Sequence, residues 1–479
     1  MARVVVLGAG FAGNTAALNL KKALGRNHEV VVVTPRSNFS YIPSLVWVGV
    51  GAMEPEKTSF ELAPVYEKHG IIFKNAAAGE IHPDAEEQFV VIKHKDGSKE
   101  PIHYDFLVNA TGPKLNYAAT PGLGPDEGFT DSVCSLPHAI KARDNYLEAV
   151  KKMKKGERQR FVIGTGHGMA TCQGAAFEYV HNLEFDLNTR GVRHMADITW
   201  ISNEPSLGDF GVGGVILKKN GNYVAGKLFA ESSFLEKGIK WVDRAHVRKV
   251  SQGSLDYINI EGEEGRLEFD FAMLIPAFAG VQIAYIDKNG NDIKNRMCVP
   301  SGFMKVDADY SSSAKPFEEW KNSDWPKFYN NPVYKNIFAA GIAFAPPHPI
   351  SKPHKAPDGT VIVPSPPRTG MASGIIGHTV ALSIIDMIKR GGKEPSHPAS
   401  MSEFGAICVT SMGKSLFKGS AALITMDPVI PNYQKYKFGR NLNYTFGDIG
   451  LAGHWVKYLL HHLFIWKMKG KFLWQFIPD

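Results

Sequence analysis

The opening segment R-V-V-V-L-G-A-G-F-A-G-N-T-A-A-L-N-L-K-K constrains the fold more than any other stretch of the chain. An apolar run, glycines at Gly8, Gly10 and Gly13, and then apolar residues at helical spacing predict a buried strand, a tight turn and a helix. Gly8 permits the turn, Gly10 lets the backbone approach a pyrophosphate, and Gly13 allows close helix packing, with the helix N-terminus facing the negative charge. Such a loop alone is a weak signal. It gains weight from its place between a strand and a helix, with a second strand, E-V-V-V-V-T, after it. An acidic residue normally ends that strand and holds a ribose. Here Thr34 stands there, ahead of Pro35 and Arg36, so a hydroxyl binds the ribose differently or the acid contact is missing.

Two further segments extend the pattern. Y-D-F-L-V-N-A-T-G-P-K reads as a strand ending at Thr111 and Gly112, and N-I-F-A-A-G repeats the strand-then-glycine pattern at Gly341. Each alone is as readily a glycine-terminated core strand; all three in this order point to FAD. A second nucleotide-type unit begins near Gln159, with glycines at Gly164, Gly166 and Gly168 and then a helix. Cys172 falls at the start of that helix, where the dipole favours a thiolate, and the next strand offers a single late acid, Glu204. This unit reads as a nucleotide domain turned to thiol chemistry.

The expected fold is α/β: two tandem Rossmann-like dinucleotide-binding domains with a C-terminal membrane-associated helical region. Residues 1–158 form the first part of the FAD domain, 159–300 the second domain with Cys172, 301–400 the return to the FAD domain, and 401–479 a C-terminal region with Cys408, a quinone pocket and an amphipathic anchor. The net charge of +7 is modest for 479 residues and lacks a dense basic run, which argues against nucleic acid and leaves an anionic surface open. Four cysteines are too few for a disulfide framework, no metal site is expected, and no cleavable signal peptide is read ahead of the first strand. The apolar stretch Tyr458 to Trp466 is too short to span a bilayer, which needs ~20 residues.

Seven segments carry a family resemblance: G-A-G-F-A-G; P-S-L-V-W-V-G-V-G, opening at Pro43; A-T-G-P-K-L; S-V-C-S-L-P-H-A; A-T-C-Q-G-A-A-F-E-Y; P-P-R-T-G; and A-I-C-V-T-S-M-G. With them the chain resembles, over nearly its whole length, the sulfide:quinone oxidoreductases. These are flavoproteins of the pyridine nucleotide-disulfide oxidoreductase superfamily, related to flavocytochrome c sulfide dehydrogenase and type II NADH dehydrogenase. The resemblance implies that Cys172 and Cys408 are a redox pair, bridged by a disulfide or sulfur chain beside the flavin. Hydrosulfide attacks the bridge, a persulfide forms, two electrons pass to FAD and then to a ubiquinone- or menaquinone-type quinone, and sulfur leaves as polysulfide or elemental sulfur. Cys134 resembles the family's third cysteine, which is tied covalently to the flavin in some members and has a supporting role in others. Cys298 matches no family cysteine and reads as a packing residue.

His138 and Glu178 match family residues that handle protons; alone, the first reads as a surface histidine and the second as a solvated helix charge. Asp209 stands where relatives carry a histidine, so a proton relay there would titrate differently. Arg368, with Thr369 and Gly370, matches a basic helix start near the flavin pyrimidine, and Phe438 an aromatic of the quinone pocket. Insertions at 314–332 and 353–364 read as surface loops or a lid. In the tail, Trp455, Leu459, Leu460, Phe464, Trp466, Phe472, Trp474 and Phe476 are interleaved with Lys457, Lys467, Lys469 and Lys471. That pattern predicts an in-plane helix on the cell membrane, with amines on lipid phosphates, or otherwise a dimer-forming helix. A small homo-oligomer is expected. A type II NADH dehydrogenase would need a clean second dinucleotide site, and a flavin-bearing thiol sensor would need no quinone pocket or anchor.

Overall fold

The computed structural model describes residues 1–219, 221–367 and 369–479. The strands of its two parallel sheets are, in chain order, β1 (Arg3–Leu7), β2 (Glu29–Val33), β3 (Ile72–Lys74), β4 (Phe106–Asn109), β5 (Gln159–Thr165), β6 (Ala196–Ile201), β7 (Ile239–Val242), β8 (Phe271–Ile275) and β9 (Ile337–Ala339). The first sheet runs β9-β4-β1-β2-β3 and the second β7-β6-β5-β8. Continuous Val/Ile/Leu runs form these strands because helices or loops cover both faces, and Val4, Val5, Val6, Val30 and Val32 are all fully buried. Each buried valine contributes roughly 1.5 kcal/mol relative to exposure.

The helices that frame the site are α1 (Phe11–Leu24), α2 (Leu136–Lys154), α3 (Gln173–Thr189), α4 (Gly370–Arg390) and α5 (Leu451–Met468). The late strand β9 pairs with β4, and α4 lies on α1, so the chain returns to the first sheet after building the second. Gly377 makes that contact possible, since a Cβ on it would clash with the backbone of Ala12. Among the described residues, α4 alone is long and apolar enough to cross a membrane, yet two thirds of its apolar window is buried in the protein core.

Three antiparallel strands, β10 (Ala406–Ser411), β11 (Ala421–Met426) and β12 (Gly447–Gly450), bring the C-terminal region back to the frame. The helix α5 packs across β10 and β11, and Gly453 lets it approach so closely that a Cβ there would lie 2.6 Å from Ala421 O.

Candidate active site

At the first glycine loop, Gly8 adopts φ +103° and a side chain on it would strike Ala110 O, while Gly13 packs against Gly8 O. A Cβ on Gly10 meets nothing within 4 Å, so the loop is closed behind and open in front. Gly10 is also the N-cap of α1 and offers no side-chain cap, which leaves first-turn N–H groups facing that opening. Gly341 (φ +66°) abuts Ala12 and Ser373, and Gly370 abuts the Phe11 ring, so the N-termini of α1 and α4 converge. Thr369 is the N-cap of α4. Gly112 (φ +73°) meets the same region through Ile342. This is a cradle for a dinucleotide diphosphate, and the residues present fit FAD.

Thr34 is buried, and its hydroxyl accepts from Arg36 N at 3.3 Å, so its role is that of a turn-former as well as a ribose candidate. Pro43 is half-buried in a short turn whose next residue, Ser44, bonds His461 of α5 at 2.8 Å. Arg368 lies outside the described residues.

The thiols come from three elements. Cys172 is the N-cap of α3 and holds φ +65°, ψ +35°, a left-handed conformation that costs a non-glycine residue roughly 1 kcal/mol or more. Cys408 lies on β10 against the first turn of α3, where a Cβ on Gly174 would be 3.9 Å from its Sγ. Cys134 precedes α2 and packs on the same apolar cluster as Cys172, close enough that the two thiols sense each other's charge. Burial pushes the Cys408 thiol up, against the opposing pull of the Thr410 hydroxyl and the Lys457 ammonium. Burial likewise pushes Cys134 up to about 12.

Six residues past Cys172, Glu178 is buried on the inner face of α3 rather than solvated. Its carboxylate accepts from Ser411 Oγ on β10 and from Lys457 Nζ on α5, the latter at 2.9 Å. Lys457 also donates to Val409 O at 2.9 Å, next to Cys408. Asn182 adds bonds to Ser411 O and Oγ, so α3, β10 and α5 are locked together beside the thiols. The interleaved-lysine reading of the tail is corrected here. Lys457 is paired with Glu178, Lys467 is buried and paired with Asp479 at 2.6 Å, and Trp474 is buried rather than displayed to lipid.

The remaining expected residues lie apart from this cluster or bear on it through neighbours. His138 sits in the first turn of α2 behind its Ser135 N-cap, with 17% of its side chain exposed, and is not a fully solvated histidine. Asp209 is buried, and its carboxylate is taken by Ser351 Oγ and by Gly211 N at 3.0 Å, while burial raises its pKa. Its neighbour Phe210 packs against the same buried cluster of Val212, Val215, Leu217, Ile424 and Met426 as Cys408. The Phe438 ring rests on Tyr223, with centroids 5.2 Å apart. Phe11, Phe39 and Tyr41, which sequence reasoning passed over, meet Phe464 of the tail and line the seam between α1 and α5.

The second glycine loop is filled by the chain itself. Segment 361–365, at the end of the expected 353–364 insertion and one residue past it, hydrogen-bonds to it through Val363 N to Gly168 O at 2.8 Å and Ser365 N to Ala170 O at 3.0 Å. A Cβ on Gly166 would be 2.6 Å from Leu123, and Gly168 N donates to His246 Nδ1 at 2.8 Å. Glu204, the acid nearest a ribose-binding position, is fully buried. It accepts from Ser202 Oγ at 2.7 Å and Phe210 N at 2.7 Å. Burial pushes it up to about 8.

Residues 2–177 match the family model described as pyridine nucleotide-disulphide oxidoreductase. Sulfide-quinone reductase of Aquifex aeolicus (strain VF5) is 29% identical over 468 residues, covering 97% of this chain and 91% of that protein. The crystal structure of the sulfide:quinone oxidoreductase from that bacterium superposes with a TM-score of 0.77 at 28% identity, covering 98% of this chain and 92% of the other. NDH2 of Plasmodium falciparum shares the fold, with a TM-score of 0.63 at 13% identity, covering 98% and 96% of the two chains. In class, the chain is therefore an FAD-dependent oxidoreductase with the pyridine nucleotide-disulphide oxidoreductase fold. Within that class it is a homologue of sulfide-quinone reductase.

Proposed function

We propose that the chain oxidises sulfide and reduces a quinone, using Cys172 and Cys408 as its sulfur-handling pair. One observation carries this: α3 and β10 bring both cysteines to one chamber, while the second dinucleotide loop, which an NADH-using enzyme needs open, is stoppered by segment 361–365. Hydrosulfide sulfur bonds to a sulfur bridging the pair, the bond on the far side breaks, and the released cysteine leaves as thiolate. The FAD that the cradle residues would hold would supply the two-electron acceptor between the thiols and the quinone. Gly8, Gly10, Gly13, Thr34, Pro43, Thr111, Gly112, Gly341, Thr369 and Gly370 hold and shape its site. The buried Glu178–Lys457 pair fixes the strand carrying Cys408 and keeps a cation beside that thiol. Arg368 and Phe438 keep their expected roles as proposals, at the pyrimidine end and the quinone entrance.

Cys134 supports the chamber as a thiol rather than linking to the flavin: it packs on the same apolar cluster as Cys172 beside the buried Ser132 hydroxyl, and its pKa is raised. Acid precipitation that releases all flavin from the chain supports this; flavin retained on the chain contradicts it. The divisions at 158, 300 and 400 are kept as part of this reading, with the return of β9 and α4 to the first sheet in support. Exposed Leu416, Phe417, Trp455, Leu459, Phe472 and Phe476 form the face laid on the bilayer, and Trp455 Nε1 ties the helix to the 416 loop at 3.0 Å. The protein is a peripheral membrane enzyme and a small homo-oligomer. The test of function is steady-state sulfide:quinone turnover. Cys172→Ser and Cys408→Ser each abolish it on this account, and retention of wild-type turnover in either contradicts it.

A further inference from the structure

A line of hydroxyls and one imidazole runs from Cys134 to the surface, and sulfide chemistry gives it a use. The Ser132 hydroxyl is fully buried, accepts from Cys134 N at 3.1 Å, and lies close enough to the Cys134 thiol to pull its pKa down against the effect of burial. Tyr117 Oη donates to Ser132 Oγ at 2.7 Å, and on its other side lies 3.5 Å from His138 Nδ1. His138 Nε2 is 3.3 Å from Asp126 Oδ2, whose side chain is 74% exposed against 17% for His138. Exposure therefore rises outward from the buried Ser132 hydroxyl through His138 to Asp126. The Tyr117 ring is held in place by the loop beneath it, because Gly124 adopts φ +116° and a Cβ there would be 2.8 Å from the ring. The ring also meets the His138 imidazole edge-on at 5.9 Å.

We infer that Ser132, Tyr117 and His138 relay protons between Cys134 at the sulfur chamber and Asp126 at the surface. The inference rests on the sulfide-oxidising reading above. Hydrogen sulfide entering as the neutral molecule gives up two electrons and two protons as its sulfur joins the chain on the cysteines. A bound FAD would accept the electron pair and one proton, so one proton per sulfide has to reach solvent. The Cys134 thiol receives that proton from the chamber side as it gives its own to Ser132. Once the hydroxyls turn from their resting order, in which Tyr117 donates to Ser132, the Ser132 proton passes to Tyr117 and the Tyr117 proton to His138, which takes it at Nδ1 and gives one up at Nε2 towards Asp126. No step leaves a buried thiolate standing, which agrees with the high pKa of Cys134. Cys172 packs on the same apolar cluster as Cys134 at the inner end of the line, and Asp126 is the carboxylate at its outer end.

The test is anaerobic stopped-flow bleaching of the FAD-loaded enzyme by sulfide, below and above the first pKa of hydrogen sulfide, for wild type, Tyr117→Phe and Ser132→Ala. Tyr117→Phe keeps the ring against Gly124 and removes the relaying oxygen alone. The expected result is bleaching slowed about tenfold or more in both variants at low pH, where substrate must lose its proton inside. At high pH, where hydrosulfide arrives already deprotonated, the defect shrinks. Wild-type rates at both pH values, or equal slowing at both, overturn the relay. A wild-type flavin that sulfide does not bleach overturns the sulfide reading itself, a failure visible before any variant is made.

Discussion

Replacing Lys457 by methionine tests the packing of the site most sharply. The Glu178 and Lys457 side chains are each 8% exposed and lie 2.9 Å apart, so methionine leaves a carboxylate buried with Ser411 as its remaining described partner. Breaking a buried pair from one side costs about 3–5 kcal/mol, because the surviving charge stays desolvated. An exposed pair would cost about 1 kcal/mol or less. Removing both charges restores much of the loss, so Lys457→Met with Glu178→Gln is expected to be more stable than Lys457→Met alone. Denaturant unfolding followed by tryptophan fluorescence, on wild type, both single variants and the double variant, gives the coupling. Loss of the ammonium also removes the charge that opposes the upward shift of Cys408, so alkylation of Cys408 slows in Lys457→Met. A single-variant cost below about 1 kcal/mol, or costs that simply add in the double variant, refute the claim that this pair holds β10 and α3 together.

Three other perturbations have definite expected outcomes. Gly8→Ala should purify with little flavin, read as absorbance per chain, since its φ of +103° and the nearby Ala110 carbonyl exclude a side chain; full flavin content contradicts the cradle. Glu204, raised to about 8 by burial, contributes stability that is present below its unfolded pKa of about 4.3 and is lost as pH rises through about 8. Glu204→Gln should therefore remove a decline of up to about 1.4 kcal/mol per pH unit within that window, and an unchanged pH profile of unfolding counts against it. Phe417→Glu with Trp455→Glu should release the protein from anionic vesicles in a flotation assay, with turnover on a soluble quinone analogue retained; undiminished flotation removes the assigned lipid face.

The parts of this molecule legible in the sequence are those fixed by steric rules acting over a few residues. The loop at Gly8, Gly10 and Gly13 could be read because a strand, a turn and a helix each leave a local spacing. The seven segments quoted above likewise pointed to Cys172 and Cys408 before any distance was known. What stayed hidden depends on partners far apart in the chain. Lys457 meets Glu178 across 279 positions, and a lysine in an aromatic helix looks the same whether it faces lipid or a buried carboxylate. Its neighbours His454 and His461, also buried and spaced with it along one helix face, were the signal that this face points inward. Segment 361–365 read as a lid because nothing local says that its amides bond the second glycine loop. Glu204 stood near a ribose-binding position yet serves the loop at Phe210, a choice set by the Ser202 hydroxyl and the Phe210 amide around it.

The central claim is tested most directly by titrating the detergent-solubilised, FAD-loaded protein anaerobically, first with sulfide and separately with NADH, while following the flavin absorbance. The thiol chamber and the stoppered second loop predict bleaching by sulfide, reversal by a quinone analogue, and no bleaching by NADH. Rapid bleaching by NADH with none by sulfide contradicts the account.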